Sequence, residues 1–406
     1  MDAGLSIARL GERLRRGLRG HVHSAAPVHL SRAIDLARII LIVGIVFLHY
    51  GMYPNLHTSP FGGMSITEHE IATFVNSFLL FFFFSVVPLL SAISGWLFFA
   101  FLDEREADPA AALSKRIRSR FFSLYLPLVT WNLLYLVVLI GLYAIRPGHD
   151  LFSALNIDLG DATPWQYFNA VFAVDHHPLA FQFWFVRDLF LTVLLSPVLW
   201  LLIKRAPLLG AAALFGAWIV NYDFAIFFRP DVTFFFYLGG LVRAKKVNLR
   251  LGGRAVIALV VAYLALVTLR SLAPYVIHHS SAVLGGFTRL MRLVGVLACW
   301  GVFMRVAETK LGAQLARVGP FSFFLYATHF PLMAEVKLQL WKLLPSASDF
   351  WMVVHYLASV SITILLCLGS AYLLARFAPE VFALLNGGRA PTLRRPAAAT
   401  APTVFG

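Results

Sequence analysis

Ten apolar stretches, most of about 20 residues, recur along this chain, and a stretch of that length crosses the hydrocarbon core of a bilayer. They fall near 34–54, 76–101, 122–144, 183–203, 208–226, 231–243, 255–273, 289–306, 320–341 and 351–375. Lipid offers no partner to backbone N–H and C=O groups, so each stretch must satisfy its own, and a helix does that. The expected fold is all-α: a polytopic integral membrane protein of about ten transmembrane helices. The sixth stretch is short and reads as tilted or partly enclosed by the others. Composition agrees, with 59% hydrophobic and 13% charged residues and a mean hydropathy of +0.76.

The net charge is +14, and its distribution orients the bundle. With the N-terminus in the cytoplasm, most basic residues fall in inward segments: Arg9 to Arg32, Arg105 to Arg120, Lys204 and Arg205, Arg243 to Arg254, Arg305 to Arg317, and Arg376 onwards. The first outward loop, Gly51 to Glu70, has neither Lys nor Arg. This bias predicts that both termini are cytoplasmic. It also accounts for the high charge through topology and anionic lipid, with no nucleic acid partner.

Residues 1–30 read as a basic cytoplasmic segment lying on the membrane surface, 31–380 as the transmembrane domain, and 381–406, rich in Pro, Ala and Thr, as a disordered cytoplasmic tail. The two cysteines, Cys299 and Cys367, each sit inside an apolar stretch and read as packing residues. With no soluble catalytic domain in view, any chemistry belongs to the bundle and its loops.

The first stretch carries Asp35, Arg38 and His49 in an otherwise apolar run. Ionisable groups in lipid are costly and default to functional hypotheses. Arg38 and His49 are eleven residues apart, three helical turns plus about 20°, so they share a face roughly 16 Å apart along the axis. A charged anchor and a titratable base on one face suit a long anionic cofactor whose reactive tip reaches the base.

Other motifs carry two readings each. Ser94-Gly95-Trp96 permits close helix approach. The cluster Lys115, Arg116, Arg118 and Arg120 is either an ordinary cytoplasmic flank or a phosphate site, since Arg pairs bidentately with phosphate oxygens. Trp184, Arg187 and Asp188 open the fourth stretch as acceptor contacts or as an interfacial anchor. Arg187 and Asp188 point about 100° apart, so they need not pair. His329 is the second histidine deep in a stretch, with Tyr326 one turn before it on the same face. The pair serves a site or holds helices together. Two histidine pairs in outward loops, His176-His177 and His278-His279, are weak metal signals, and no metal is expected. Asn221, Asp223, Arg229 and Asp231 gather at another outward turn, where they solvate it or meet a polar acceptor.

These residues resemble the membrane-bound acyltransferase family 3, which includes O-acetyltransferases of O-antigen, exopolysaccharide and peptidoglycan. The likeness rests on Ile34-Asp35-x-x-Arg38, the Arg38-x10-His49 spacing, Ser94-Gly95-Trp96, Trp184-Phe185, and the run Gly319-x-x-Ser322-Phe323-x-x-Tyr326-x-x-His329-x-Pro331. It spans residues from about 32 to 375. The chain departs from the family before the third stretch, where Lys115-x-x-Arg118 stands for an Arg-x-x-Arg set nearer a proline. It resembles the stand-alone type, without an appended esterase-like domain.

The resemblance implies an O-acetyltransferase of the bacterial inner membrane. It would move an acyl group, most simply acetyl from cytoplasmic acetyl-CoA, to a sugar hydroxyl of an exopolysaccharide or other envelope glycan. His49 would act as general base or acyl carrier. Asp35, Arg38 and the basic residues at 115–120 would hold the CoA phosphates, and His329 and Tyr326 would stabilise an oxyanion or the acceptor. The partners would be membrane lipids and a glycan or lipid-linked oligosaccharide. A rival from another class is a transporter or flippase for a lipid-linked glycan. It lacks the inverted repeat and matched broken helices that mark transport.

Overall fold

The computed structural model describes residues 27–102, 108–276, 281–344 and 348–389. All regular structure among them is helical. Most of the basic N-terminal segment, Arg105, His278-His279 and residues 390–406 lie outside the described residues.

Helix α1 spans Pro27–Leu48. Helices α2, Glu70–Phe83, and α3, Val86–Phe98, follow as one bent rod. Helices α4, Pro109–Arg120, and α5, Leu126–Ile145, are joined by a π-turn over Phe121–Tyr125. A surface helix α6, Pro164–Phe172, is closed at its start by Thr163 and Gln166 in a capping box. Then come α7, Trp184–Leu194, and α8, Ser196–Arg205. They are bent by 58° where Pro197 removes a backbone donor. Helices α9, Pro207–Ile219, α10, Asp231–Ala244, α11, Gly253–Ser271, and α12, Ser281–Val306, complete the middle of the chain. The last are α13, Lys310–Ala316, α14, Ser322–Leu343, α15, Asp349–Phe377, and α16, Pro379–Leu385.

Every one of the ten apolar stretches contains helix. Among the described residues, five helical segments are long and apolar enough to cross a membrane, and six if the bent α7–α8 pair is one span. The difference from ten has a physical basis. Helix α1 carries Arg32, Asp35 and Arg38, α14 carries Glu335, Lys337 and Lys342, and α9 and α10 are only 13 and 14 residues long. The fold also runs past the expected start of the tail at 381, through α16 to Arg389.

The tightest helix crossing is α3 on α10. A Cβ on Gly95 would stand 1.9 Å from the Phe236 carbonyl oxygen, and one on Gly239 would stand 1.9 Å from that of Ala92. Two glycines facing each other's backbones leave no room for any side chain, which is how small residues replace hydrophobic drive inside lipid. This contact brings Ser94 to one wall of the cavity described below.

Buried charge is neutralised locally. Asp231 accepts from both Arg292 and Arg229. Arg292 also donates to the Phe84 carbonyl at 3.3 Å, tying α12 to the α2–α3 bend. The turn residues Arg229 and Asp231 are thus part of the scaffold.

Gly239→Ala should destabilise the protein by about 2 kcal/mol through overpacking, read as a lowered Tm in detergent. Gly141→Ala, where the new Cβ meets nothing within 4 Å, should leave Tm unchanged or slightly raised. Equal Tm values for the two would sink this account of the crossing.

Candidate functional site

Helix α1 carries both ends of the site. Near its start, Arg38 Nη1 lies 3.4 Å from Asp35 Oδ1, one turn back. The two side chains keep 39% and 41% exposure, so the pair is loose and the guanidinium retains donors for a ligand. Gly319 eases this approach: a Cβ there would come within 3.1 Å of Asp35, so a larger residue would push the α14 entrance away from α1. Asp35 and Arg38 line a cavity of about 310 Å3, with Ser94, Ser322, Tyr326 and Arg389 on its other walls.

Arg389 belongs to the segment expected as tail. After α16, Gly387 and Gly388 adopt φ of +67° and +78°, a left-handed turn that glycine makes without steric cost. Asn386, fully buried, donates from Nδ2 to the Pro320 carbonyl at 2.9 Å and to that of Arg389 at 2.6 Å. The turn is thereby fastened to the α14 entrance, and Arg389 lies over the Phe323 ring, 5.0 Å from its centroid. Burial, then the Arg38 and Arg120 charges, push its guanidinium down to about 10, still charged at neutral pH. The Pro/Ala/Thr bias of the last 20 residues hid it; the Gly-Gly pair ahead of it was the available signal.

Of the four basic residues in α4, two are half-buried on the side of Arg38. Arg120 lies within electrostatic reach of Arg38 and Arg116, and Arg116 donates to the Leu97 carbonyl at 3.3 Å and lies over Phe101. Residues 116 and 120 are one turn apart on one face. Lys115 and Arg118, the stand-in for the family's Arg-x-x-Arg, are exposed. The cationic cluster is therefore Arg38, Arg116, Arg120 and Arg389, with Asp35 the carboxylate beside it.

At the other end of α1, His49 still bonds helically, its N–H donating to Ile45 O at 3.1 Å. Its Nδ1 lies 2.7 Å from Nε2 of His329, with the two rings nearly parallel at 8°. His329 is fully buried, and its Nδ1 is 2.8 Å from Tyr326 O and 3.2 Å from Leu325 O. Both are acceptors, so His329 Nδ1 carries the hydrogen. For two neutral imidazoles the rest follows. His329 Nε2 accepts from His49 Nδ1–H, and the lone pair of His49 Nε2 is left available. Phe181 and Phe330 flank the His49 ring at 5.9 and 6.4 Å.

Tyr326 lines the cavity and is one turn from His329, so it stands between the two ends. Its hydroxyl donates to the backbone carbonyl of Gln182. Neither it nor His329 has its hydrogen turned outward for an oxyanion.

Arg187 and Asp188, expected to diverge, are bonded at 2.9 Å and both buried. Arg187 also donates to the carbonyls of Ala173, Val174 and Ile226, and Asp188 accepts from Arg229 N at 2.8 Å. The long Arg side chain folds back because loop carbonyls surround it. The pair fastens two loops to α7. Trp184 remains half-buried under the Arg229 guanidinium at 5.5 Å. In the loop ahead of α7, His176 contacts Asp175 at 2.9 Å and His177 packs on Phe228. Burial, then the Arg187 charge, hold His177 below the usual imidazole range.

The family described as an acyltransferase domain matches residues 31–374. The chain is also similar to the succinoglycan biosynthesis protein ExoH of Rhizobium meliloti (strain 1021). The two are 29% identical over 363 residues, covering 89% of this chain and 93% of that protein. No solved structure matches the chain.

The cation cluster makes a direct prediction for the protein in detergent. It should bind inorganic pyrophosphate, and Arg389→Ala should weaken that binding by roughly tenfold, whereas Lys115→Ala should leave it unchanged. Equal losses at both positions, measured by titration calorimetry, would mean a diffuse basic surface and no site.

Proposed function

Since the chain belongs to the acyltransferase family whose domain covers residues 31–374, and is an enzyme of that kind, we propose that it transfers an acyl group from acyl-CoA to a sugar hydroxyl of an exopolysaccharide. Acetyl-CoA is the donor in this reading. The acceptor class follows the relative named for succinoglycan biosynthesis. Family membership favours the enzyme over the transporter.

The observation that carries the proposal is that α1 joins a cation-lined cavity to a histidine pair. Arg38 and His49 share a face about 16 Å apart, and each meets partners from distant parts of the chain: Arg389 at one end, His329 at the other. Arg38, Arg116, Arg120 and Arg389 would hold the nucleotide phosphates, with Asp35 orienting Arg38. They would do so at the cytoplasmic face of a bacterial inner membrane, where the acyl-CoA pool lies, with ten spans and both termini inside. The positive-inside bias supports that orientation. The thioester arm would run from the cavity past Ile42 and Tyr326 towards the histidines.

A sugar hydroxyl is a poor nucleophile at neutral pH and needs a base within hydrogen-bond reach. The lone pair of His49 Nε2 takes the hydroxyl proton as the sugar oxygen attacks the thioester carbonyl carbon. The C–S bond breaks, and the proton passes from His49 to the departing thiolate. His329 does not touch substrate in this scheme. Its Nε2 holds His49 Nδ1–H, fixing the tautomer and stabilising the imidazolium as it forms, the part a carboxylate plays in serine hydrolases. A route through acyl-His49 uses the same lone pair.

His49→Ala should abolish transfer of label from acetyl-CoA to glycan in membranes that contain the protein at parental amounts. Transfer in the parent should fall with acidification as His49 takes up a proton. Arg38→Ala should raise the KM for acetyl-CoA about tenfold or more with a smaller change in kcat. Activity in a well-inserted His49→Ala protein would remove the base assignment, and an unchanged KM in Arg38→Ala would remove Arg38 from the donor site.

A further inference from the structure

Helix α14 breaks one residue after His329. Phe330 has φ −125° and ψ 132°, values outside the helix. Pro331 has no N–H, so the Ala327 carbonyl, which would accept from position 331, loses its helical partner. A bare carbonyl at this depth is costly. The donors that replace it come from other helices. Tyr135, from α5, donates its hydroxyl to Ala327 O at 2.9 Å. Gln182, in the short turn Phe181–Phe183 that leads into α7, donates from Nε2 to Ala327 O at 3.0 Å and to Phe330 O at 2.9 Å. Both partners are acceptors, so the group facing them can only be the amide NH2.

Gln182 makes a third connection through its backbone carbonyl, which accepts from Tyr326. One residue, 1% exposed, thus grips the broken helix on both sides of His329, at Tyr326 and Ala327 before it and at Phe330 after it. The His329 ring is itself held by the Tyr326 and Leu325 carbonyls of this same turn. The position of that turn sets where His329 Nε2 meets His49, which arrives on a different helix. Gln182 Oε1 has no hydrogen-bond partner among the described residues, so the side chain is placed by its donors alone.

We propose that Gln182 is a positioning residue for acyl transfer, splinting the break in α14 so that His329 holds His49 in its proton-accepting tautomer. The proposal rests on the reading of His49 as the base. Gln182 touches neither end of the substrate path. Its loss should be felt in the chemical step and not in donor binding, because the cation cluster lies at the far end of α1.

Two substitutions separate positioning from simple loss of fold. Gln182→Leu has no donor at any pH. Gln182→Glu has none as a carboxylate, but regains one O–H donor when protonated, and burial favours the neutral form of a carboxyl group. Each variant is assayed in membranes with labelled acetyl-CoA, at matched amounts of inserted protein, beside the parent and His49→Ala. Gln182→Leu should lower kcat by roughly tenfold or more, the cost of leaving the Phe330 carbonyl unpaired while Tyr135 alone holds Ala327, with KM for acetyl-CoA unchanged and a ratio to the parent that is flat with pH. The ratio of Gln182→Glu to the parent should rise about fivefold as pH falls from about 8 to about 6, as its donor returns. A misfolded protein lowers the amount inserted and does not make this ratio depend on pH. Parental kcat in Gln182→Leu, or a flat ratio for Gln182→Glu, beside an inactive His49→Ala protein, would overturn the splint and leave the base assignment standing. Activity in His49→Ala would overturn the base assignment and the splint with it.

Discussion

Inside lipid no water satisfies a stray polar group, and that single constraint organises this fold. Among the described residues, a break in a helix and several buried charges are answered by side chains from elsewhere in the fold. Tyr135 and Gln182 answer the break in α14. Arg292 and Arg229 answer Asp231, and Arg187 answers both Asp188 and the carbonyls after α6. The answers from Tyr135, Gln182 and Arg292 are long-range in sequence, so they also fix which helices meet. A buried charge left unpaired by truncating its partner costs about 3–5 kcal/mol, which makes the pairs strong determinants of arrangement even where they add little net stability.

The candidate site uses the same economy of partners. Helix α1 and the turn that continues it to His49 set the separation of Arg38 and His49 by pitch. Everything else adjusts to it: α14 approaches through Gly319, the chain after α16 returns through two left-handed glycines to deliver Arg389, and His329 meets His49 across 280 residues of sequence. The two ends differ in kind. The cavity end is half-exposed and rich in guanidinium, suited to an anion that comes and goes. The histidine end is drier and defined by hydrogen bonds in series, suited to keeping one tautomer.

Much of this was legible from the residues. Long apolar stretches predicted helix, and each contains one, while His49, His329, Arg38 and Asp35 stood out because ionisable residues in such stretches are expensive in lipid. What escaped has specific causes. The expected ten spans exceed the five or six found partly because α1 carries Arg32, Asp35 and Arg38 and α14 carries Glu335, Lys337 and Lys342, charges that a search for long apolar runs passes over one by one. The choice of Arg116 and Arg120 over Lys115 and Arg118 depends on helical phase ahead of a π-turn, and no local pattern announced that turn. Arg187 and Asp188 diverge on an ideal helix, yet the flexible Arg stem closes the gap once loop carbonyls are placed around it. Gln182 carried no signal in the sequence, because the groups that need it, Ala327 and Phe330, are 145 and 148 residues away.

The broken helix then takes on a meaning that hydropathy cannot supply. A continuous α14 would pair Ala327 O with a donor at 331 and would need nothing from Gln182. It would also carry the helix straight on past His329. Breaking there turns Phe330 beside the His49 ring at 6.4 Å and lets the second half of α14 set off in a new direction, from which Lys337 donates to the carbonyls of Tyr50 and Met52 just beyond His49. Both halves of α14 therefore hold the end of α1, one through a histidine and the other through a lysine. The break costs backbone hydrogen bonds in the place where they are hardest to replace, and what it provides is a fixed meeting point for the two histidines.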